Sequence, residues 1–293
     1  MDQAMTSTGS DHTSWLRAIP TDDGRAPVLT RGGQVVHADR RMGDLVQRRP
    51  PGITGHQWST AIRAGVDFVV CAGDSGRPLF AVEIGPPAPA GSAAQRTERM
   101  RNAVGAAVGL EVLRIESPTL RAADHGRRIV AYVIDARGYA EGGLPGETAV
   151  GFRDILGRLP DGRTGPVNDL GALARAAAVE AYVARRLADP IVRGLHVTWK
   201  DGPAEGWSWV EVRPGACLVE RVSVWEHRFS CGVDAARLAE DLAAVAVGER
   251  LAGLDDDAPA LVSRDELRAE IRGLRARRDE LVNGFAFDHL CVD

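Results

Sequence analysis

Gly65-Val-Asp-Phe-Val-Val-Cys71, the turn Gly73-Asp-Ser-Gly76 and Pro78-Leu-Phe-Ala-Val-Glu-Ile84 decide the fold of this chain. Two apolar runs of strand length flank a glycine-bounded turn, which predicts a β-hairpin. Each run is interrupted by one acid, Asp67 in the first and Glu83 in the second. A carboxylate is costly to bury alone, so each acid needs a cation or a hydrogen-bond partner. Downstream, residues 95–108 read as a helix with Val104, Ala107 and Val108 toward the sheet, and Leu110-Glu-Val-Leu-Arg-Ile115 as the next strand. The order strand, turn, strand, helix, strand predicts an α/β domain.

The rest of the composition sets limits. With 293 residues, 44% hydrophobic and 26% charged, the chain suits one large or two ordinary globular domains. A net charge of −4 excludes general attraction to polyanions, so any nucleic-acid contact has to come from local basic clusters. Of the 36 basic residues one, Lys200, is a lysine, which restricts the choice of a catalytic lysine. No apolar run reaches the roughly 18 residues of a membrane span, and the polar Met1–Ser14 lacks a signal-peptide core. The expectation is a cytoplasmic protein without membrane contact, with residues 1–14 as a disordered tail. Cys71, Cys217, Cys231 and Cys291 show no CxxC spacing and read as reduced thiols, Cys71 in the core.

The spacing of turn signals divides the chain into a first domain over 15–137, a glycine- and proline-rich linker or long loop over 138–168, and an α+β domain over 169–293. Ser117-Pro118 predicts a helix start, running to about Ala136, with a strand left open for the β-branched Ile129–Ile134. The second half predicts a helix over 169–187 and strands over 195–199, 207–212 and 217–228, the last two joined by Arg213-Pro-Gly-Ala. Helices over 234–251 and 264–282 close the chain. Trp207, Trp209 and Glu211 share a strand face, as a core or as a stacking platform, with the core favoured. The 264–282 helix opens with the capping box Ser263 and Glu266 and carries Leu267, Ile271, Leu274 and Leu281 on one stripe. That stripe suits a seam with a second copy or partner protein, or packing on 234–251.

Asp67 and Glu83 converging at a sheet edge provide hard oxygen ligands for a divalent cation, with the Ile84 carbonyl as a third. The pattern resembles the PD-(D/E)XK, or restriction-endonuclease-like, nuclease superfamily, and within it a bacterial domain family of unknown function. The residues that carry the resemblance are Asp44-Leu45, Val66-Asp67-Phe68-Val69, Val82-Glu83-Ile84, Glu98 and Arg101 on the helix, and Gly109-Leu-Glu-Val-Leu-Arg114-Ile115. It spans about Arg40 to Ser117, roughly a quarter of the chain. It implies a mixed sheet flanked by helices and hydrolysis of nucleic-acid phosphodiesters with Mg²⁺ or Mn²⁺. Asp67, Glu83 and Ile84 would hold the metal and Arg101 would stabilise phosphate charge, while Arg96, Arg99 and Arg114 form either a phosphate-facing ridge or a solvated face. Gly85 stands where the superfamily keeps lysine, the loop Pro86-Pro-Ala-Pro-Ala-Gly-Ser92 lacks the family's histidine, and arginine is too basic to act as a general base. A degenerate, non-cleaving fold that binds nucleic acid or protein is therefore the rival, and a site between the halves that includes Lys200 is a third reading.

Overall fold

A computed structural model describes residues 15–20, 24–142, 156–158, 164–166, 170–227, 234–254, 260–282 and 286–287. In chain order the elements begin with β1 (Leu29–Arg31), β2 (Gln34–Arg41), α1 (Met42–Leu45), α2 (Gly55–Ala61), β3 (Gly65–Ala72) and β4 (Pro78–Gly85). Next come α3 (Ala93–Val108), β5 (Glu111–Glu116), α4 (Ala122–Gly142), β6 (Leu156–Arg158), β7 (Thr164–Pro166) and α5 (Ala172–Val183). The chain continues through β8 (Arg193–Thr198), β9 (Ala204–Arg213), β10 (Ala216–His227), α6 (Ala235–Ala252), β11 (Val262–Ser263), α7 (Arg264–Ala276) and β12 (Ala286–Phe287).

The expected mixed α/β sheet flanked by helices is present. Its main path runs β1-β2-β3-β4-β5-β10-β9-β8-β12, and β11 pairs with β10. β4 and β5 run parallel, joined through α3, because a parallel pair needs a crossover rather than a tight turn. The strands of the second half extend the same sheet, since β10 lies antiparallel to β5 from Ser223–Glu116 to His227–Val112.

Alternation along the strands splits the core between two faces. On one face Phe68, Val82, Leu113 and Val224 meet Ile129, Val130 and Val133 of α4 and Leu238, Leu242 and Ala246 of α6. On the other, Val69, Ala81 and Val112 meet Met42, Leu45, Val104 and Val108 from α1 and α3. Further along that second face, α7 sets Leu267, Ile271 and Leu274 on Trp207, Trp209 and Cys217. The two tryptophans are thus a core face. Gly206 lets α6 lie directly on β9: a Cβ there would come within 2.0 Å of the Glu240 backbone nitrogen.

Several local expectations change. Ser117 does not start a helix; its hydroxyl accepts the Thr119 and Leu120 amides at 3.2 and 3.0 Å in a turn, and α4 begins at Ala122. The β-branched stretch 129–134 is helical because its side chains fill the space against the sheet, so packing overrides propensity. Ala107 is exposed, and Gly105 is buried in its place. The 264–282 helix stops at Ala276, after which Leu281 turns back to bridge Trp199. Its stripe packs on the sheet, on the face opposite the 234–251 helix. Cys71 is fully buried, and burial pushes its thiol up to about 12. The tail 1–14, Cys231 and Cys291 lie outside the described residues, as does most of the 138–168 stretch. Among the described residues no helix is long and apolar enough to cross a membrane.

Candidate functional site

Registry brings the two acids together. Phe68 pairs with Val82 and Glu83 with Arg114, so Asp67, Glu83 and Arg114 lie in a row across β3, β4 and β5. Past Phe68 the regular β3–β4 ladder ends, and the Ile84 amide donates instead to Asp67 Oδ2 at 2.7 Å. The cleft at this edge, about 150 Å³, is lined by Asp67, Glu83, Gly85, Glu98, Arg101 and Arg114 among others.

Glu83 is 6% exposed, and a buried charge of this kind survives only when paired. Its Oε2 accepts Arg101 Nη2 at 2.5 Å and Arg114 Nε and Nη2 at 2.9 and 2.6 Å. Arg114 also donates to Glu98 and, at 3.0 Å, to Asn102, both on α3. Arg101 is tied to the Gly65 carbonyl at 2.8 Å, while its Nε is buried with no partner among the described residues. Of the four arginines considered from sequence, Arg101 and Arg114 meet at Glu83. Arg96 and Arg99 are exposed on α3, Arg96 bonding the Gly91 carbonyl at 2.8 Å.

Asp67 has a backbone donor and, among the described residues, no ion pair. Burial raises its pKa above the usual aspartate value, the Ile84 amide opposes this, and the Glu83 charge adds to the rise. A carboxyl whose folded pKa is raised favours folding below the unfolded pKa and loses that contribution as pH climbs through the folded value. Asp67→Asn is therefore expected to raise the melting temperature at pH 7, with the gain vanishing toward pH 3. A thermal melt series over that range checks this; a variant less stable at pH 7 would contradict it.

Four further side chains border this row. Asp39 sits opposite Asp67 in the β2–β3 register, between the pairs Ala38–Phe68 and Arg40–Val66, and holds a left-handed φ of 51°. Such a φ is uncommon outside glycine, though aspartate tolerates it better than most residues. Glu116, the partner of Gly85 across β4–β5, accepts the Trp225 indole N–H at 3.1 Å, and burial raises its pKa. Trp225 stacks on His227 with ring centroids 6.0 Å apart, and burial followed by the Arg114 charge lowers the His227 pKa. Trp225 and His227 reach the site only through the β5–β10 pairing, for which adjacent residues carry no signal.

No family model, curated protein or solved structure matches the chain.

Among the described residues no three histidine, cysteine or acidic side chains form a ligand cluster. Magnesium does not require one, because it binds through one or two carboxylates and keeps several waters. Asp67 Oδ1 and Glu83 Oε1 accept no hydrogen bond among the described residues, since each carboxylate uses only its other oxygen. The donor set thus fits a hydrated divalent cation.

Proposed function

We propose that this cleft is a cation-assisted phosphodiesterase site acting on nucleic acid. The observation that carries the reading is charge: Asp67, Glu83, Glu98 and Glu116 line the cleft against Arg101 and Arg114 alone. Surplus carboxylates with free oxygens favour a hard cation over an anion. Asp67 and Glu83 would hold Mg²⁺, which when bound polarises a phosphoryl oxygen and lowers the pKa of a coordinated water. Arg101, held by the Gly65 carbonyl and Glu83, would bring positive charge to a phosphate in the cleft, and Asn102 and Glu98 hold the Arg114 guanidinium in place. Glu116, raised by burial and beside Gly85, supplies the proton acceptor that the missing lysine would have been.

Cleavage of single- and double-stranded DNA and RNA with Mg²⁺ or Mn²⁺ tests the reading. Activity is expected to rise with pH through the raised Glu116 pKa. In Glu116→Gln it should fall about 10²-fold or more, with loss of that acidic limb. No cleavage of any substrate with either metal would remove it.

A second reading, a degenerate fold that binds without cutting, is favoured by one observation: both arginines already occupy Glu83 Oε2. Gly85→Lys separates the two. A Cβ at Gly85 meets nothing within 4 Å, so the side chain can start there without a backbone clash. Cleavage that appears only in Gly85→Lys marks the natural site as degenerate.

A further inference from the structure

Glu83 of β4, Arg114 of β5 and Trp225 of β10 are successive cross-strand partners, so the row that begins with the acids ends in an indole. Neighbouring strands stand about 4.8 Å apart, which puts Trp225 about 10 Å along the row from Glu83. Two contacts fix the ring there. Its N–H donates at 3.1 Å to Glu116, which lines the acidic cleft, and the ring stacks on His227 with an interplanar angle of 7°. On the other side of Trp225 the next β10 residue facing the same way is Ser223, whose side chain is too small to cover an indole. Nor does β9 reach it: the β9–β10 pairing stops at Ala204 and Val224, so among the described residues Trp225 and His227 have cross-strand partners on β5 alone. Trp225 is accordingly half-buried, whereas Trp207 and Trp209 are 5% and 4% exposed against α7.

We propose that Trp225 is a stacking platform for an unpaired base, and that the strand taken by the acidic cleft is single-stranded nucleic acid. The inference rests on the phosphodiesterase reading, because a bound cation offsets the surplus carboxylates and draws a phosphate toward Asp67 and Glu83. Spacing favours a nucleotide: its base and its phosphate lie several ångströms apart, on the scale of the separation between the indole and Glu83. A base stacked on Trp225 therefore sets its own or the adjoining phosphate at the acids. The pairing state follows from the stacking. In a duplex the neighbouring pairs cover both faces of each base, whereas an unpaired base offers a face to the ring. Every base has such a face, so the platform selects for strandedness and not for sequence.

Fluorescence anisotropy of labelled strands with the full chain tests this, in Ca²⁺, a hard cation for the same oxygen ligands. The probes are a short oligothymidylate, a short oligouridylate, the oligothymidylate–oligodeoxyadenylate duplex, and an abasic strand of the same length. The tighter of the two single strands is expected to bind at least about tenfold better than the duplex and than the abasic strand. Trp225→Leu, with an unchanged circular-dichroism spectrum, should weaken that strand about tenfold and leave the abasic strand as it was, while Trp225→Phe, which keeps a ring, should retain most of the affinity. Duplex bound as tightly as single strand, an abasic strand bound as tightly as one with bases, or an unchanged affinity in Trp225→Leu would overturn the proposal. Cleavage of duplex without single-strand preference would leave the phosphodiesterase reading standing and remove the platform. Single-strand binding that Trp225→Leu loses, in a protein that cuts nothing, would keep the platform and remove the cleavage.

Discussion

Arg114→Ala is expected to destabilise the protein by about 3–5 kcal/mol in urea unfolding, the cost of stranding one member of a buried ion pair. Arg114 and Glu83 are each 6% exposed, and Arg114 supplies two of the three hydrogen bonds on Glu83 Oε2. Removing it leaves Glu83 with Arg101 alone and takes the guanidinium from Glu98 and Asn102. Arg114→Lys should recover part of the loss. An ammonium on a flexible stem meets Glu83 but does not reproduce the fork that spans three acceptors. A loss below about 1 kcal/mol in the alanine variant would mean that Glu83 is not held by Arg114 as described.

The second large effect concerns the joint between β9 and α6. Gly206→Ala is expected to cost about 3 kcal/mol, because overpacking that moves backbone is worse than overpacking that moves side chains. The added Cβ would stand 2.0 Å from the Glu240 nitrogen and 2.1 Å from the Ala239 carbonyl carbon. Neither atom yields unless the whole helix lifts, and lifting it opens the contacts of Leu238 and Leu242 with the sheet. Gly85→Ala is the control, at a strand glycine with open space around its Cβ, and is expected to stay within about 0.5 kcal/mol of the natural protein. Equal stability of the two variants would contradict the close approach of α6.

The hairpin of β3 and β4 was legible because its signal is local: alternation, a glycine-bounded turn and one acid per arm. The same locality made the Arg213-Pro-Gly-Ala hairpin and the Ser263–Glu266 capping box readable, and the structure contains both. What the sequence hid is long-range. β10 could have paired with any strand edge, so nothing near Trp225 announces Arg114 as its cross-strand neighbour. The stripe of α7 told that a face would be buried but not where; the sheet, rather than α6, covers it. Ile129 to Ile134 left helix and strand both open for a related reason, since β-branching suits strands while the α4 groove rewards their shape.

At the site itself, the two acids were visible as polar breaks in apolar strands, and Arg101 through its place on the helix. Their pairing was not visible. Sequence alone does not tell whether an arginine near an acid faces a substrate or the acid itself, and here Arg101 and Arg114 both turn to Glu83. Asp39 was hidden by a backbone conformation, a φ of 51° that no residue type near it demands.

The most direct test of a cation site is a calorimetric titration of Mn²⁺ into the full chain and into Asp67→Asn. The substitution keeps an oxygen for the Ile84 amide and removes one negative charge from the cleft. One saturable site in the natural protein, lost or weakened at least about tenfold in Asp67→Asn, is the predicted result. No binding in the natural protein, or equal binding in both, would contradict the account.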